Sequence, residues 1–361
     1  MLSEGSYGPY SGPANVSRLH EATGKAREAT LGKLLFRQNR ETKVITNSLF
    51  DSSLIHYDFS YCTTVSDTTG KHRISTLNYF NRILSHLDSE PLIIDVGCGQ
   101  GEFVQELRQR GFSASGFDPV LRKSSHFLFD RLWTEKETPG DLYVMRCVLP
   151  HIEHPWEFLE SIWSANQDAL VLVEYQSWSW ISRNSVWNQI CHDHVHQFRL
   201  RDFLKRNLVV DSGVFEEGEW EWVLLARTSP KIHEHRDDIY LEESFEKINS
   251  DRETSIRKIV ELLHDFSVLT VWGGAAKGSM LAHSLLEQLD LKLKVVDQDP
   301  NRIGKYLEGS AVQVESPDEL SHLGRENMIL SANPRHLDWI KSQIKGRSFV
   351  TSITEILRQN V

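Results

Sequence analysis

Residues 93–103, "IIDVGCGQGEF", decide the fold. Ile93, Ile94, Asp95 and Val96 read as the end of a short buried strand, and Gly97, Gly99 and Gly101 leave it before a helix opens near Glu102. Glycines at that junction permit a tight turn and let a ligand lie directly against the backbone. The Asp-x-Gly-x-Gly-x-Gly spacing differs from the Gly-x-Gly-x-x-Gly of pyrophosphate binders. No basic residue lies in the loop, and Asp95 with Glu102 repels phosphate. A ligand with a positive end and a ribose fits better.

The stretch "GFDP" at 116–119 supplies the partner of that loop. Asp118 ends the next strand, 21 residues after Gly97, where a carboxylate accepts protons from both ribose hydroxyls. Loop and acid together predict S-adenosylmethionine as the cofactor, with a nicotinamide dinucleotide as its competitor.

Outward from this loop the chain keeps one grammar. "FVQELRQRG" (103–111) reads as a helix closed by Gly111, and "SASGFD" (113–118), "DLYVMR" (141–146) and "ALVLVEY" (169–175) as strands. "PWEFLESIW" (155–163) is a helix between the last two, and "LVVDSGVF" (208–215) with "EWVLLAR" (221–227) is a terminal strand pair. Such alternation predicts a doubly wound α/β sheet. A second alternating unit follows a charged helical connector, with strands "VLTVWGG" (268–274), "LKVVDQDP" (293–300) and "NMILSA" (327–332). Upstream, Leu77, Phe80, Ile83, Leu84 and Leu87 recur at helical spacing over 75–87, and "LGKLLFRQNR" (31–40) is expected at the core of another helix. The expected units are a small N-terminal region at 1–70, a methyltransferase domain at 71–229 and a C-terminal Rossmann-like domain at 230–361.

Composition bounds the partners. The chain of 361 residues carries 40 Lys plus Arg against 50 Asp plus Glu, a net charge of -10 that repels nucleic-acid phosphate. Its densest basic stretch, Arg18 to Lys43, is interrupted by Glu21, Glu28 and Glu41 and reads as a solvated helical face. No apolar run reaches the ~18 residues of a membrane span, and the start of the chain lacks the apolar core of a signal peptide. Cys62, Cys98, Cys147 and Cys191 form no CxxC pair, so neither a disulfide framework nor a cysteine zinc site is expected. The expected setting is a reducing cytoplasm, the expected state a monomer or dimer.

Residues 188–198, "NQICHDHVHQF", concentrate the titratable chemistry. On a strand His192, His194 and His196 share one face and make a three-nitrogen metal site, whereas on a helix only His192 and His196 meet. The alternatives are a catalytic base and plain hydrogen-bonding histidines. The base reading is preferred and no metal is expected. The tryptophans of "QSWSWISRNSVW" (176–187) either wall a sugar site or pack in the core, and Glu174 either touches substrate or caps its strand.

Four stretches resemble the sugar C-methyltransferases that act on nucleotide-linked 4-keto-6-deoxyhexoses. "VWGGAAKGSMLAHSL" (271–285) is similar to that family's Gly-Ala-Ala-Ala-Lys-Gly element, and "VVDQDPNRIGKYLEGSAVQVESPDEL" (295–320) to the segment after it. "NQICHDHVHQF" resembles the family's Ile-Tyr-His-Glu-His-x-x-x-Phe segment, and "YCTTVSDTTGKH" (61–72) its Tyr-x-Ser-Ser-x-Ser…His stretch. The resemblance keeps motif order over roughly residues 50–345. It implies a class I methyltransferase fold with S-adenosylmethionine in the central domain and a nucleotide-diphosphate sugar between that domain and the C-terminal unit. It also implies removal of the proton α to a ketone and methylation of the enolate. By motif, His194 matches the general base, Asp193 its neighbouring acid, Tyr61 an active-site tyrosine and His151 a histidine after the fourth strand. His192, Cys191, Glu174, Lys277 and Gly278 are placed with the substrate. Departures are Cys191 where a tyrosine is usual, Asp193 where glutamate is usual, Pro150 for a common glutamate, and no N-terminal zinc cysteines. An O- or N-methyltransferase, a non-catalytic sugar-nucleotide binder and a nicotinamide oxidoreductase are the rival readings.

Overall fold

Seven short strands between Leu92 and Leu225 form the central sheet, and their order follows from how they are connected. The computed structural model describes residues 5–58, 71–87, 90–206, 208–228, 243–288, 292–322, 324–344 and 348–359. The strands are β1 (Leu92–Val96), β2 (Ser113–Phe117), β3 (Leu128–Phe129), β4 (Leu142–Arg146), β5 (Leu170–Gln176), β6 (Val209–Phe215) and β7 (Trp220–Leu225). They lie in the order β6-β7-β5-β4-β1-β2-β3. A tight turn at Glu216–Gly218 makes β6 and β7 an antiparallel hairpin. The hairpin docks through β7, which is antiparallel to β5, while β5, β4, β1, β2 and β3 pair in parallel. This is the sheet of a class I methyltransferase. Helices cover both faces, so β5 is buried from Leu170 through Tyr175 without alternation.

The helix Lys71–Leu84 begins four residues before the amphipathic pattern at 75–87 and buries Phe80 and Ile83. Its early start brings His72 into the fold as a helical residue.

The C-terminal unit is a second doubly wound sheet, formed by β8 (Val268–Trp272), β9 (Leu293–Val296), β10 (Val314–Glu315), β11 (Asn327–Ser331) and β12 (Phe349–Ser352). Its order is β10-β9-β8-β11-β12 and every pairing is parallel.

The N-terminal region corrects one expectation. Residues Leu31–Gln38 form a β-strand, not the core of a helix. Gly32, Leu34 and Phe36 are buried while Leu31, Lys33 and Arg37 are exposed, a period of two that only a strand satisfies. This strand pairs antiparallel with Tyr7–Pro13 and Ile45–Asn47, and His196–Gln197 from the histidine segment joins as a fourth strand. The basic stretch is solvated but divided: Lys25 and Arg27 are exposed on the short helix Thr23–Glu28, Lys33 and Arg37 on the strand, and Arg40 in the turn after it.

One apolar cluster unites Tyr7, Leu34 and Phe36 of this sheet with Trp178, Trp187, Met280, Leu281 and Leu330. Trp178 and Trp187 are wholly buried, which settles core packing over a sugar wall for those two. Among the described residues no helix is long and apolar enough to cross a membrane.

Candidate active site

The glycine loop and Asp118 meet as their spacing predicts. Gly97 has φ 72, and a Cβ there would stand 2.4 Å from Val148 Cγ2, so glycine is required for both conformation and space. Asp118 is buried and accepts the Gly99 N–H at 2.8 Å on one oxygen and the Val120 N–H at 2.9 Å on the other. Burial raises its pKa and the two N–H donors oppose that rise. An ionised carboxylate has about four acceptor directions, so hydrogen-bonding capacity for two hydroxyls remains.

Asp95 lies beneath the same loop, buried, with both oxygens lacking a hydrogen-bond partner. Burial pushes its pKa up to about 7 against the nearby Arg146 guanidinium. An orphaned buried carboxylate below a glycine loop, beside a carboxylate with spare acceptors, fits a ligand that has a cationic end and a ribose. S-adenosylmethionine has both.

The histidine segment does not present its histidines alike. His192 is wholly buried under the N-terminal sheet, with Nδ1 donating to the Lys33 carbonyl at 3.0 Å and its ring stacked on Phe50. A Cβ at Gly32 would come within 2.2 Å of that ring. His192 is thus packed against the N-terminal strands instead of facing a substrate. His196 donates from Nε2 to the Glu153 carbonyl at 3.2 Å and takes the Thr46 hydroxyl on Nδ1 at 3.0 Å. Burial brings its pKa down to about 4. The alternating metal trio is therefore not assembled.

A different trio is. His151, Asp193 and His194 bring one ligand atom each within 4.8 Å of one another. His151 donates from Nδ1 to the Asp193 carbonyl at 2.7 Å, and its ring meets His194 edge-on with centroids 4.6 Å apart. Burial, with the positive fields of His151 and Lys277, lowers the His194 pKa well below its ordinary value, so the ring is a neutral acceptor at pH 7. Beneath them Cys191 is fully buried, its thiol pushed well up by burial and by hydrogen bonding to Asp193. A thiol donor therefore occupies the place beside the acid, at the position where a tyrosine is usual in the family that the segment resembles.

Val148, which packs on Gly97, is three residues from His151, so the cofactor loop and the trio share one wall. Tyr57, exposed over 42% of its surface, precedes the trio in sequence; loss of solvation around its hydroxyl and the fields of Asp193 and Asp118 raise its pKa. Sequence reasoning passed over Tyr57 in favour of Tyr61, which lies outside the described residues. Their shared stretch, "YDFSY", carried no periodicity to separate them.

Lys277 comes from the C-terminal unit and pairs with Glu219 of the central one at 2.6 Å. Glu219 also takes Arg335 at 2.6 Å; burial opposes its ionisation, but these two cations hold its pKa down to about 2. Gly278 packs so closely that a Cβ would lie 1.6 Å from the Gly273 carbonyl oxygen.

Glu174 is no strand cap. Fully buried, it accepts from Thr76 at 2.6 Å, from Tyr79 and from His72 Nε2 at 3.0 Å. Those three residues stand at i, i+4 and i+7 on one face of the helix Lys71–Leu84. That spacing was the available signal, hidden because the helix was expected to begin at 75.

The family model described as "Methyltransferase domain" matches residues 72–208. Among solved structures the chain is similar to the PH0226 protein from Pyrococcus horikoshii OT3, at 13% identity and TM-score 0.35 over 45% of this chain and 93% of that one. It is also similar to the plantazolicin methyltransferase BpumL in complex with a triazolic desmethylPZN analog and SAH, at 13% identity and TM-score 0.35 over 45% and 87%. A third is the magnesium protoporphyrin IX methyltransferase from Synechocystis PCC 6803 with bound SAH, at 14% identity and TM-score 0.33 over 44% and 82%. No curated protein matches the chain. The sheet order, the loop and the matched segment make the central unit a methyltransferase domain whose cofactor is S-adenosylmethionine.

Proposed function

We propose that this methyltransferase is a C-methyltransferase that removes the proton α to a ketone on a nucleotide-linked keto-deoxysugar and methylates the enolate. The observation that carries the reading is His194: a half-buried imidazole kept neutral at pH 7 and edge-on to His151. Methyl transfer to an oxygen or nitrogen needs no carbon base, whereas an enolate does.

Bound S-adenosylmethionine supplies an electrophilic methyl group. We assign its ribose to Asp118, its cationic end to Asp95 and its backbone contacts to Gly97, Gly99 and Gly101. His194 accepts the α-proton, and Asp193, steadied by Cys191, fixes the segment that carries it. The enolate oxygen needs preplaced donors, each worth perhaps ~3 kcal/mol of barrier by comparison with oxyanion holes. We assign Tyr57, whose pKa is raised, as one such donor. Lys277 and Gly278 shape the substrate side from the C-terminal unit, and the three units are proposed to be bounded at residues 70 and 229.

Two measurements test this reading. With S-adenosylhomocysteine bound, a 4-keto sugar nucleotide in deuterium oxide should incorporate deuterium at the α-carbon without methylation. Absence of exchange with every 4-keto sugar nucleotide, alongside tight cofactor binding, would sink the enolate mechanism. For the cofactor residues, Asp118→Asn removes a charged acceptor, and charge-assisted hydrogen bonds contribute ~1.5–3 kcal/mol. Calorimetry should show S-adenosylhomocysteine binding weakened by about 10- to 100-fold, and unchanged affinity would remove Asp118 from the ribose.

A further inference from the structure

The turn between β6 and β7 carries two glutamates in a conformation that suits neither. Glu216 and Glu217 have φ 49 and φ 58, in the left-handed region. Consecutive left-handed residues in a hairpin turn are ordinarily glycine, asparagine or aspartate. Other residues persist there where their surroundings over-determine them, and such strain gathers at functional sites. Glu217 is exposed and has no ion-pair partner among the described residues. Glu216 is different: one oxygen pairs with Arg335 Nη1 at 2.7 Å and the other faces His72 Nδ1 at 3.8 Å.

Three residues on, buried Glu219 completes the grip. It takes Lys277 Nζ at 2.6 Å on one oxygen and Arg335 Nη1 at 2.6 Å on the other, where Asn333 Nδ2 also donates at 3.2 Å. Lys277 lies in the first turn of the helix Ala276–Leu286, and Arg335 in the turn Pro334–His336. Those segments follow β8 and β11, which are parallel neighbours, so both leave the sheet at its carboxyl edge, where open α/β folds form their ligand crevices. The histidine segment holds the same two places from another side. Asn188 Nδ2 donates to the Lys277 carbonyl at 3.1 Å and to the Ala332 carbonyl at 3.0 Å. The C-terminal unit is thus tied to the central one at two points, the histidine segment and the strained turn.

We propose that Glu216 is a positioning residue of the reaction: from its left-handed turn it fixes Arg335, and with Glu219 it sets the crevice edge of the C-terminal unit against the histidine segment. This rests on reading the substrate as seated between the central and C-terminal units. Glu216 touches no reacting atom. Glycine at 216 takes the same φ without strain but lets go of Arg335, whereas glycine at 217 eases the turn and leaves the clasp whole.

Amide hydrogen–deuterium exchange of the full chain, read by mass spectrometry with S-adenosylhomocysteine bound, tests the clasp without any substrate. In Glu216→Gly the amides of 274–278 and 332–336 should exchange about tenfold faster or more, the factor carried by one hydrogen bond to a charged group. Those of 97–101 should keep their wild-type rates. Glu217→Gly should leave all of these unchanged. Arg335→Gln should loosen the same two segments, and adding Glu216→Gly to it should have no further effect. With a 4-keto-6-deoxyhexose nucleotide that undergoes α-proton exchange, Glu216→Gly should raise KM about tenfold and leave kcat and S-adenosylhomocysteine affinity unchanged. Wild-type amide rates in Glu216→Gly overturn the proposal, as do equal effects of Glu216→Gly and Glu217→Gly, or an unchanged KM. Failure of every 4-keto sugar nucleotide to exchange its α-proton would instead remove the enolate reading, and the amide rates would still decide the clasp.

Discussion

Replacing His194 by glutamine should abolish α-proton exchange and methylation together, each by about 10²- to 10⁴-fold, the range a positioned general base supplies. The joint loss is the point. If the ring acted only by packing, exchange and transfer would fall by different amounts and glutamine, of similar volume, would restore part of both. A carbon acid needs its base deprotonated, and His194 meets that condition through burial beside His151 and Lys277. The sign follows: a folded pKa well below the ordinary ~6.5 means that lowering the pH from 7 to 6 should not protonate His194. Wild-type exchange should therefore lack a His194 limb in that window. S-adenosylhomocysteine affinity should stay unchanged, since the base makes no part of the Asp95 and Asp118 cradle. Exchange persisting in His194→Gln would assign the proton to another group.

What the sequence made legible was local. The loop from Gly97 to Gly101 and the acid at 118 are spaced by one βαβ unit, so backbone geometry alone brings them together. The parallel order of the C-terminal sheet follows from the same grammar. What escaped was set by contacts between distant segments. Leu31–Gln38 alternates like a strand, yet its Leu-Leu-Phe run also suits a helix, and only pairing with Tyr7–Pro13 decides it. His192, His194 and His196 look equivalent in sequence. The carbonyls of Lys33 and Glu153 take the outer two away, and their positions depend on folds of the chain that no spacing encodes. Lys277 stood out in its motif, but nothing in the sequence marked it as the partner of Glu219, a residue of a different unit.

Glu174→Ala should destabilise the protein by about 3–5 kcal/mol, the cost of leaving a buried charge network without one partner. The carboxylate collects donors from Thr76, Tyr79 and His72 and lies in the field of Arg146; burial opposes its ionisation, but His72 and Arg146 hold its pKa low. Removing it strands the His72 imidazolium in the interior, with Glu216 the remaining acid near it at 3.8 Å, and leaves Arg146 in the field of Asp95. Urea denaturation of the variant measures the loss, and Glu174→Gln, which keeps an acceptor for Thr76 and Tyr79 but not the charge, should fall between. The same network predicts an alkaline limb. Burial works against a charged His72, yet hydrogen bonds to Cys147 and Glu174 bring its pKa up to about 10. A pKa raised on folding stabilises most below the unfolded value of ~6.5, and that stabilisation disappears as pH rises through the folded value. Wild-type stability should accordingly decline between pH ~6.5 and about 10, and His72→Gln should be flat across that window. A variant Glu174→Ala within ~0.5 kcal/mol of wild type would match an ordinary surface substitution, and the network would then carry no stability.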